Sequence, residues 1–178
     1  MERRKILVLL AVSLLAMSCA EKKETKDIIV PKLAEEAPAG PRAMQDYTVS
    51  DSVRWCGKTY TVEICRRADK DMQTVTSGAG GTYYDNRITA RVTRPDGTVF
   101  FNRDFTKSDF SRCVGEEYIN GSALLGFVLE KAEGDYLQFA ASVGDPDVLS
   151  DEYIPLLIRL SRTGEMSVER DTRLEGEE

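Results

Sequence analysis

Apolar and polar residues alternate along most of the chain from residue 45 onward, which is the pattern of β-strands with one buried and one solvated face. The first segment, 47–55, has its apolar side chains at odd positions, and the second, 60–64, has them at even positions. We expect Gly57 and Lys58 to form the tight turn that joins these two strands as a hairpin.

Turn signals separate the later alternating segments. The strongest is Pro95-Asp96-Gly97, because proline presets φ and glycine accepts a positive φ. Residues 69–81 are polar and rich in glycine, and we predict a loop there. The further predicted strands are 87–93, 99–105, 124–131, 136–143, 153–161 and 165–170.

One segment has helical spacing instead. Thr106 or Ser108 can cap its start, and Asn120-Gly121 ends it. Its apolar face consists of Phe110, Cys113, Val114 and Tyr118. We therefore predict one helix between the strands that end near 105 and begin near 124.

These elements predict a mainly β (α+β) fold. Short strands with tight turns favour antiparallel neighbours, so we expect a single curved antiparallel sheet or a sandwich of about eight strands with one helix. Residues 45–173 have the length of one ordinary domain. The last residues, 174–178, are expected to be a disordered tail.

The first 18 residues have the pattern of a secretory signal peptide. A basic stretch at 3–5 precedes an apolar run at 6–17, which is shorter than the about 20 residues that a membrane-spanning helix needs. The sequence Ala-Met-Ser-Cys at 16–19 resembles a bacterial lipobox, although Ala16 stands where leucine is usual. The resemblance implies a lipoprotein with acyl chains on Cys19, which anchor a protein stably to a membrane.

Residues 19–44 are predicted to be a flexible tether, because charged residues and three prolines leave little apolar surface to bury. The apolar cluster at 28–30 is the exception and could dock on the domain as an edge strand. Ala20 follows the cysteine where aspartate favours retention in the inner membrane. By that resemblance we expect an anchor in the outer membrane. The domain then lies on either the periplasmic or the cell-surface face.

Composition narrows the classes of function. The chain has 24 basic and 30 acidic residues, a net charge of −6, which argues against a nucleic-acid partner because phosphate contacts need clustered lysine and arginine. It contains no histidine, which excludes Ser-His-Asp and Cys-His catalysis and histidine-ligated zinc or haem. We therefore predict no catalytic residues, no cofactor and no enzyme activity.

The cysteines and the acidic and glycine-rich loops give weaker signals. Cys56, Cys65 and Cys113 permit one disulfide, but on the predicted hairpin Cys65 lies opposite Ser50, too far along the strand from Cys56 for a bond. The Gly-rich run 77–81 lacks the ending of a phosphate-binding loop. Asp145, Asp147, Asp151 and Glu152 could bind calcium, but their spacing fits no EF-hand, and we predict no metal site.

The most suggestive polar and aromatic stretch is 83–87. Tyr83, Tyr84, Asp85 and Arg87 could form a platform for a sugar or a peptide. The alternative is a strand start whose tyrosine rings pack on the edge of the core. These four residues are the candidate binding site.

Most of 45–173 resembles a known family. The resembling segments are 60–87, 96–103, 105–110, 134–136, 151–156 and 160–162. The family is one of Bacteroides-type lipoproteins described only as a domain of unknown function, number 4738. The resemblance implies a Gram-negative gut-type bacterium and an outer-membrane anchor, and it assigns no catalytic residue.

Three functions follow as hypotheses. The first is a non-catalytic binding or scaffold domain of the cell envelope, with a membrane contact through Cys19 and an envelope protein or glycan as partner. The second is a small-ligand carrier with an apolar pocket in a curved sheet. The third is a glycan hydrolase with two facing carboxylates.

Overall fold

A computed structural model describes residues 40–173 as a mainly β protein, which confirms the predicted class. The first sheet has the strand order β1-β2-β5-β6 and the second has the order β10-β9-β8-β7, with antiparallel pairs throughout. The strands of the first sheet are β1 (Tyr47–Trp55), β2 (Lys58–Asp69), β5 (Asp85–Thr93) and β6 (Val99–Phe105). Those of the second are β7 (Ala123–Glu133), β8 (Tyr136–Gly144), β9 (Tyr153–Ser161) and β10 (Met166–Arg170).

The layout differs from the expectation in two ways. The eight long strands divide between two four-stranded sheets, so the single curved sheet was wrong. A third, two-stranded sheet pairs β3 (Val75–Thr76) with β4 (Thr82–Tyr83), and β3 lies inside the predicted loop 69–81. These strands are too short to leave an alternating pattern in the sequence.

The turn of the first hairpin is one residue earlier than predicted. Trp55 pairs with Lys58, so Cys56 and Gly57 form the turn, and both have positive φ, 48° and 76°. A two-residue turn of this kind needs positive φ at both central positions, which glycine satisfies best at the second. Cys65 consequently lies opposite Thr48 rather than Ser50, and the buried and exposed faces are unchanged.

The predicted helix is three short helical segments. A 3₁₀ turn (Lys107–Phe110) is followed by α1 (Ser111–Val114) and α2 (Glu116–Asn120). Gly115 separates the last two with φ of 94°, which no helix accommodates. The predicted cap at Thr106 is confirmed, because the Thr106 N–H donates to Asp109 Oδ2 at 2.8 Å in a capping box.

Aromatic side chains fill the space between the sheets. Phe105 from the first sheet stacks on Phe127 from the second, with ring centroids 4.9 Å apart. Phe110 packs on Phe105 at 6.0 Å, and Phe139 packs on Phe127 at 5.2 Å. All four rings are fully buried, so the interior is a packed core that joins both sheets and the helical segments.

Side chains of the first sheet bind the free backbone edge of β7. The hydroxyl of Tyr47 donates to the Phe127 carbonyl at 3.2 Å and accepts the Phe127 N–H at 3.3 Å. Asn86 Nδ2 donates to the Leu124 carbonyl at 2.8 Å, and the Arg66 guanidinium donates to the carbonyl of Leu125. These bonds give partners to backbone N–H and carbonyl groups on an edge of β7 that no neighbouring strand pairs.

Several predictions fall on the ends of the chain. The signal peptide, Cys19, the tether up to residue 39 and the tail 174–178 lie outside the described residues. Within the predicted tether, Arg42 donates its N–H to the Thr82 carbonyl at 2.8 Å and accepts from the Tyr84 N–H at 2.8 Å, so the ordered domain begins before residue 45. No helix in residues 40–173 has the length and apolar character needed to span a bilayer.

Candidate functional site

The four predicted binding residues do not share one surface. Tyr83 is only 7% exposed, and its hydroxyl donates to Asp147 Oδ2 at 3.2 Å. Tyr84 lies 5.9 Å from the ammonium group of Lys70, measured to the ring centroid. Arg87 is exposed on β5, where it bonds Asp69 on the neighbouring strand β2 at 2.7 Å.

Asp85 is a buried structural carboxylate. Its Oδ1 accepts the Asn86 N–H at 2.7 Å and the Leu124 N–H at 3.0 Å, while Oδ2 lies 3.3 Å from Lys107 Nζ. The side chain of Asp85 is 1% exposed and that of Lys107 is 15% exposed. The Asp85 carboxylate therefore connects the first sheet, β7 and the 3₁₀ turn. Since Tyr83 and Asp85 are buried, only Tyr84 and Arg87 of the four predicted residues are open to a ligand.

A groove lies instead on the outer face of the second sheet, with a volume of about 520 Å³. Its outward-facing residues alternate with core residues on β7, β8 and β9, as the two faces of a sheet require. The lining residues are Gly126, Phe127, Val128, Glu130, Ala140, Ala141, Ser142, Tyr153, Pro155, Leu156, Asp171 and Arg173.

Small side chains create this groove. Gly126 pairs with Ser142 and Val128 pairs with Ala140 across β7 and β8, so the floor has little side-chain volume. Val128 is 53% exposed and Tyr153 is 49% exposed, and both present apolar surface to solvent. An open apolar concavity of this kind is where a ligand or a partner segment gains most from burial.

The C-terminal residues of the described chain supply the charged side of the groove. β10 and β7 are opposite edges of the second sheet, yet Arg173, after β10, bonds both oxygens of Glu130 on β7 at 3.1 Å. Arg173 also bonds Asp171 Oδ2 at 2.7 Å, and the Asp171 N–H donates to the Pro155 carbonyl at 2.9 Å. The Arg173 side chain therefore reaches from the end of β10 to β7 on the outer face of the sheet.

Asp171 and Arg173 carry opposite charges at neutral pH. Hydrogen bonds from Arg173, opposed by partial desolvation, hold the pKa of Asp171 below its usual range. The carboxylates of Asp171 and Glu130 in turn raise the pKa of Arg173. A general acid for glycoside hydrolysis needs a raised carboxyl pKa, so Asp171 has the opposite property.

The acidic loop and the Gly-rich loop bind each other. Asp145 Oδ2 accepts the Ser77 hydroxyl at 3.0 Å and the Gly78 N–H at 2.8 Å, so this amide faces a carboxylate rather than a phosphate. Asp145 Oδ1 accepts the Asp147 N–H at 2.9 Å. No group of three or more possible ligands within the described residues is arranged to hold a metal ion.

The three cysteines of the domain are free thiols. Cys56 is exposed in the first turn, and Cys65 and Cys113 are half-buried. The prediction that Cys56 and Cys65 do not pair is confirmed, since they lie at the turn and near the far end of the hairpin.

Comparison with known proteins gives a family and no activity. The model of a family described as a domain of unknown function (DUF4738) matches residues 28–168. The chain belongs to this family. The match confirms the resemblance to a domain of unknown function, number 4738, and it includes the apolar cluster at 28–30. No curated protein matches the chain.

Sequence reasoning missed the groove. Gly126, Ala140 and Ser142 lie on two strands, and their adjacency depends on the register between β7 and β8. The only signal along the chain was the run of small residues at 140–142 within an otherwise bulky strand. Nothing in the pattern placed Arg173 beside Glu130.

Proposed function

We propose that this DUF4738 protein is a lipid-anchored protein of the outer membrane whose β-sandwich is a non-catalytic binding or scaffold domain. The anchor is the lipobox-like Cys19, and a Bacteroides-type bacterium is the proposed source. The observation that carries the binding role is the apolar groove on the outer face of the second sheet, bounded by the Glu130–Arg173–Asp171 triad.

The lining of the groove favours a protein segment over a glycan. Its floor is formed by glycine, alanine, serine and proline, with Val128 and Tyr153 at its sides. Glycan sites need several converging hydrogen-bond donors and acceptors, whereas here Arg173 already bonds both of its carboxylate neighbours. The partner of this groove is thus an envelope protein that inserts apolar side chains.

Two variants test the groove. Ala140→Trp fills its floor, and Thr61→Trp places the same side chain at an exposed position on β2 as the matched control. We expect capture of envelope proteins by the chain from residue 20 to fall about tenfold with Ala140→Trp and to stay unchanged with Thr61→Trp. Equal capture by both variants contradicts a binding role for the groove. Loss of palmitate incorporation in Cys19→Ser tests the anchor separately.

The small-ligand carrier is the second candidate. The groove volume of about 520 Å³ lies in the range of small-molecule sites. The interior between the sheets is filled by side chains, so a carried ligand would occupy the groove. Native mass spectrometry of protein purified from its own cells distinguishes the two, because a carrier retains a discrete apolar small molecule that Ala140→Trp excludes.

A further inference from the structure

Two apolar side chains stand out at the end of the second sheet. Val148 is 89% exposed and Leu149 is 92% exposed, whereas no other large apolar side chain described in residues 40–173 exceeds 53%. They are adjacent, at the tip of the loop 145–152 between β8 and β9. A contiguous pair of nearly fully exposed aliphatic side chains is unusual on a free surface and is typical of a binding anchor.

The loop is held in shape from within. The Asp147 N–H donates to Asp145 Oδ1 and the Leu149 N–H donates to Asp147 Oδ1, each at 2.9 Å. The Ser150 N–H donates to the Asp147 carbonyl at 3.0 Å, and the Asp145 N–H donates to the Glu152 carbonyl at 3.0 Å. Val148 and Leu149 therefore project from a loop whose backbone is held by hydrogen bonds within the loop itself.

Neighbouring segments brace the same loop. Ser77 and Gly78 bond the Asp145 carboxylate at 3.0 and 2.8 Å, and the Tyr83 hydroxyl bonds the Asp147 carboxylate at 3.2 Å. Pro146 between them is buried. Since ordering a loop costs conformational entropy on binding, a loop that is already ordered presents its anchor at low cost.

Charge identifies the chemistry of the partner. The loop carries four carboxylates, Asp145, Asp147, Asp151 and Glu152, and no lysine or arginine occurs anywhere in 132–158. An apolar tip on a loop with four carboxylates and no basic residue fits an apolar pocket bordered by positive charge, because complementary potentials direct association and like charges oppose it.

The same charges disfavour two other occupants. An anionic bilayer repels a loop with four carboxylates. A second copy of this chain offers the groove on the second sheet, but that groove presents Glu130 and Asp171 against the single cation Arg173. The charged residues of the loop and of the groove lining therefore both sum to a negative charge, which opposes contact between them.

We propose that Val148 and Leu149 are the anchor through which this domain docks onto another protein, one with an apolar pocket rimmed by lysine or arginine. This surface is separate from the groove of the proposed function and does not depend on it. In the mature full-length chain in its own cells, a photo-crosslinking residue at Leu149 should form one dominant protein adduct. The same residue at Val99, an exposed apolar position on β6, is the control.

The purified adduct partner then decides the proposal. We expect Val148→Ser with Leu149→Ser to weaken its binding by about tenfold or more, and Thr61→Trp to leave that binding unchanged. Asp151→Asn with Glu152→Gln should weaken binding severalfold and flatten its dependence on NaCl between about 50 and 500 mM. The mapped contact on the partner should contain basic residues.

Four results overturn the proposal. They are adduct levels at 149 no higher than at Val99, an adduct with lipid, an adduct with a second copy of the chain, and binding that is insensitive to the serine variants. Loss of binding with Ala140→Trp alone supports the groove and contradicts the loop. Because Val148 and Leu149 are nearly fully exposed, the serine variants should unfold at the wild-type urea midpoint, which separates lost docking from lost folding.

Discussion

The hydroxyl of Tyr47 bonds both the N–H and the carbonyl of Phe127, at 3.3 and 3.2 Å, across the junction of the two sheets. The Tyr47 side chain thereby pairs backbone groups of β7 that a neighbouring strand would otherwise pair. We expect Tyr47→Phe to lower the free energy of unfolding by about 1–3 kcal/mol, because it leaves two part-buried backbone groups unpaired. Urea denaturation measures this difference.

Tyr136→Phe is the control for that change. The Tyr136 side chain is 44% exposed, and removal of its hydroxyl should alter stability by less than about 0.5 kcal/mol. Equal effects of the two substitutions would show that the Tyr47 hydroxyl contributes nothing to the junction.

The buried ion pair between Asp85 and Lys107 supports the second prediction. Asp85→Asn should destabilise the domain by about 3 kcal/mol, because it leaves the ammonium group of Lys107 largely desolvated without a counter-charge. The double variant Asp85→Asn with Lys107→Met should recover part of that loss. A double-mutant cycle in urea measures the coupling, and additive effects contradict it.

Gly144 supports the third prediction. A Cβ atom there would lie 2.2 Å from the Glu152 carbonyl oxygen and 2.6 Å from the Tyr153 Cα, so backbone must move to admit it. We expect Gly144→Ala to cost about 3 kcal/mol. Gly126→Ala is the control, since its Cβ would meet only Ser142 Oγ at 3.6 Å and should change stability little.

The carboxylate of Asp145 gives a dependence on pH. Despite partial desolvation, hydrogen bonds from Asp147, Ser77 and Gly78 hold its pKa below the usual value. A carboxyl with a lowered folded pKa contributes stability that is complete above its unfolded pKa of about 3.9 and is lost as the pH falls through the folded pKa. The stability gap between wild type and Asp145→Asn should therefore be constant from neutral pH to about pH 5 and close below that.

Urea unfolding at a series of pH values measures that gap. The matched control is Asp51→Asn, since Asp51 is exposed on β1 and its carboxylate makes no hydrogen bond or ion pair within residues 40–173. Its difference from wild type should stay small at every pH. If the difference in free energy of unfolding between wild type and Asp145→Asn persists unchanged at pH 2, the stabilising role of the ionised Asp145 carboxylate is contradicted.

The first turn supports the fifth prediction. Cys56 has φ of 48°, a conformation that asparagine adopts more readily than cysteine and that suits asparagine before Gly57. Cys56→Asn should raise the free energy of unfolding by about 0.5 kcal/mol or more, and Cys56→Val should lower it, because a β-branched residue is strained at positive φ. Thermal unfolding of both variants tests the sign.

The predicted strands were largely right because alternation is a local property. Burial of one face of a sheet selects apolar residues at every second position, and this pattern survives without knowledge of the partner strand. Thus 136–143 and 153–161 were found almost as they stand in β8 and β9. The helix boundaries were less accurate, because one glycine with positive φ at 115 divides an otherwise continuous pattern.

The candidate site was predicted less well. Tyr83 and Asp85 were chosen for their chemistry, but burial assigns them to the loop contact with Asp147 and to the ion pair with Lys107. A polar residue that is buried with a hydrogen-bond or charge partner cannot be distinguished from a ligand-binding residue by its type alone. Whether Tyr84 and Arg87 bind a ligand stays a prediction.

The sequence by itself determined the class of fold, the family and the absence of histidine chemistry, since each depends on local pattern or composition. Tertiary structure alone decided the division into two sheets, the groove between Gly126 and Ser142, and the position of Arg173 against Glu130. The physical reason is sequence separation. Register and sheet packing bring together residues tens of positions apart, and no local preference encodes which distant strand a given edge will meet.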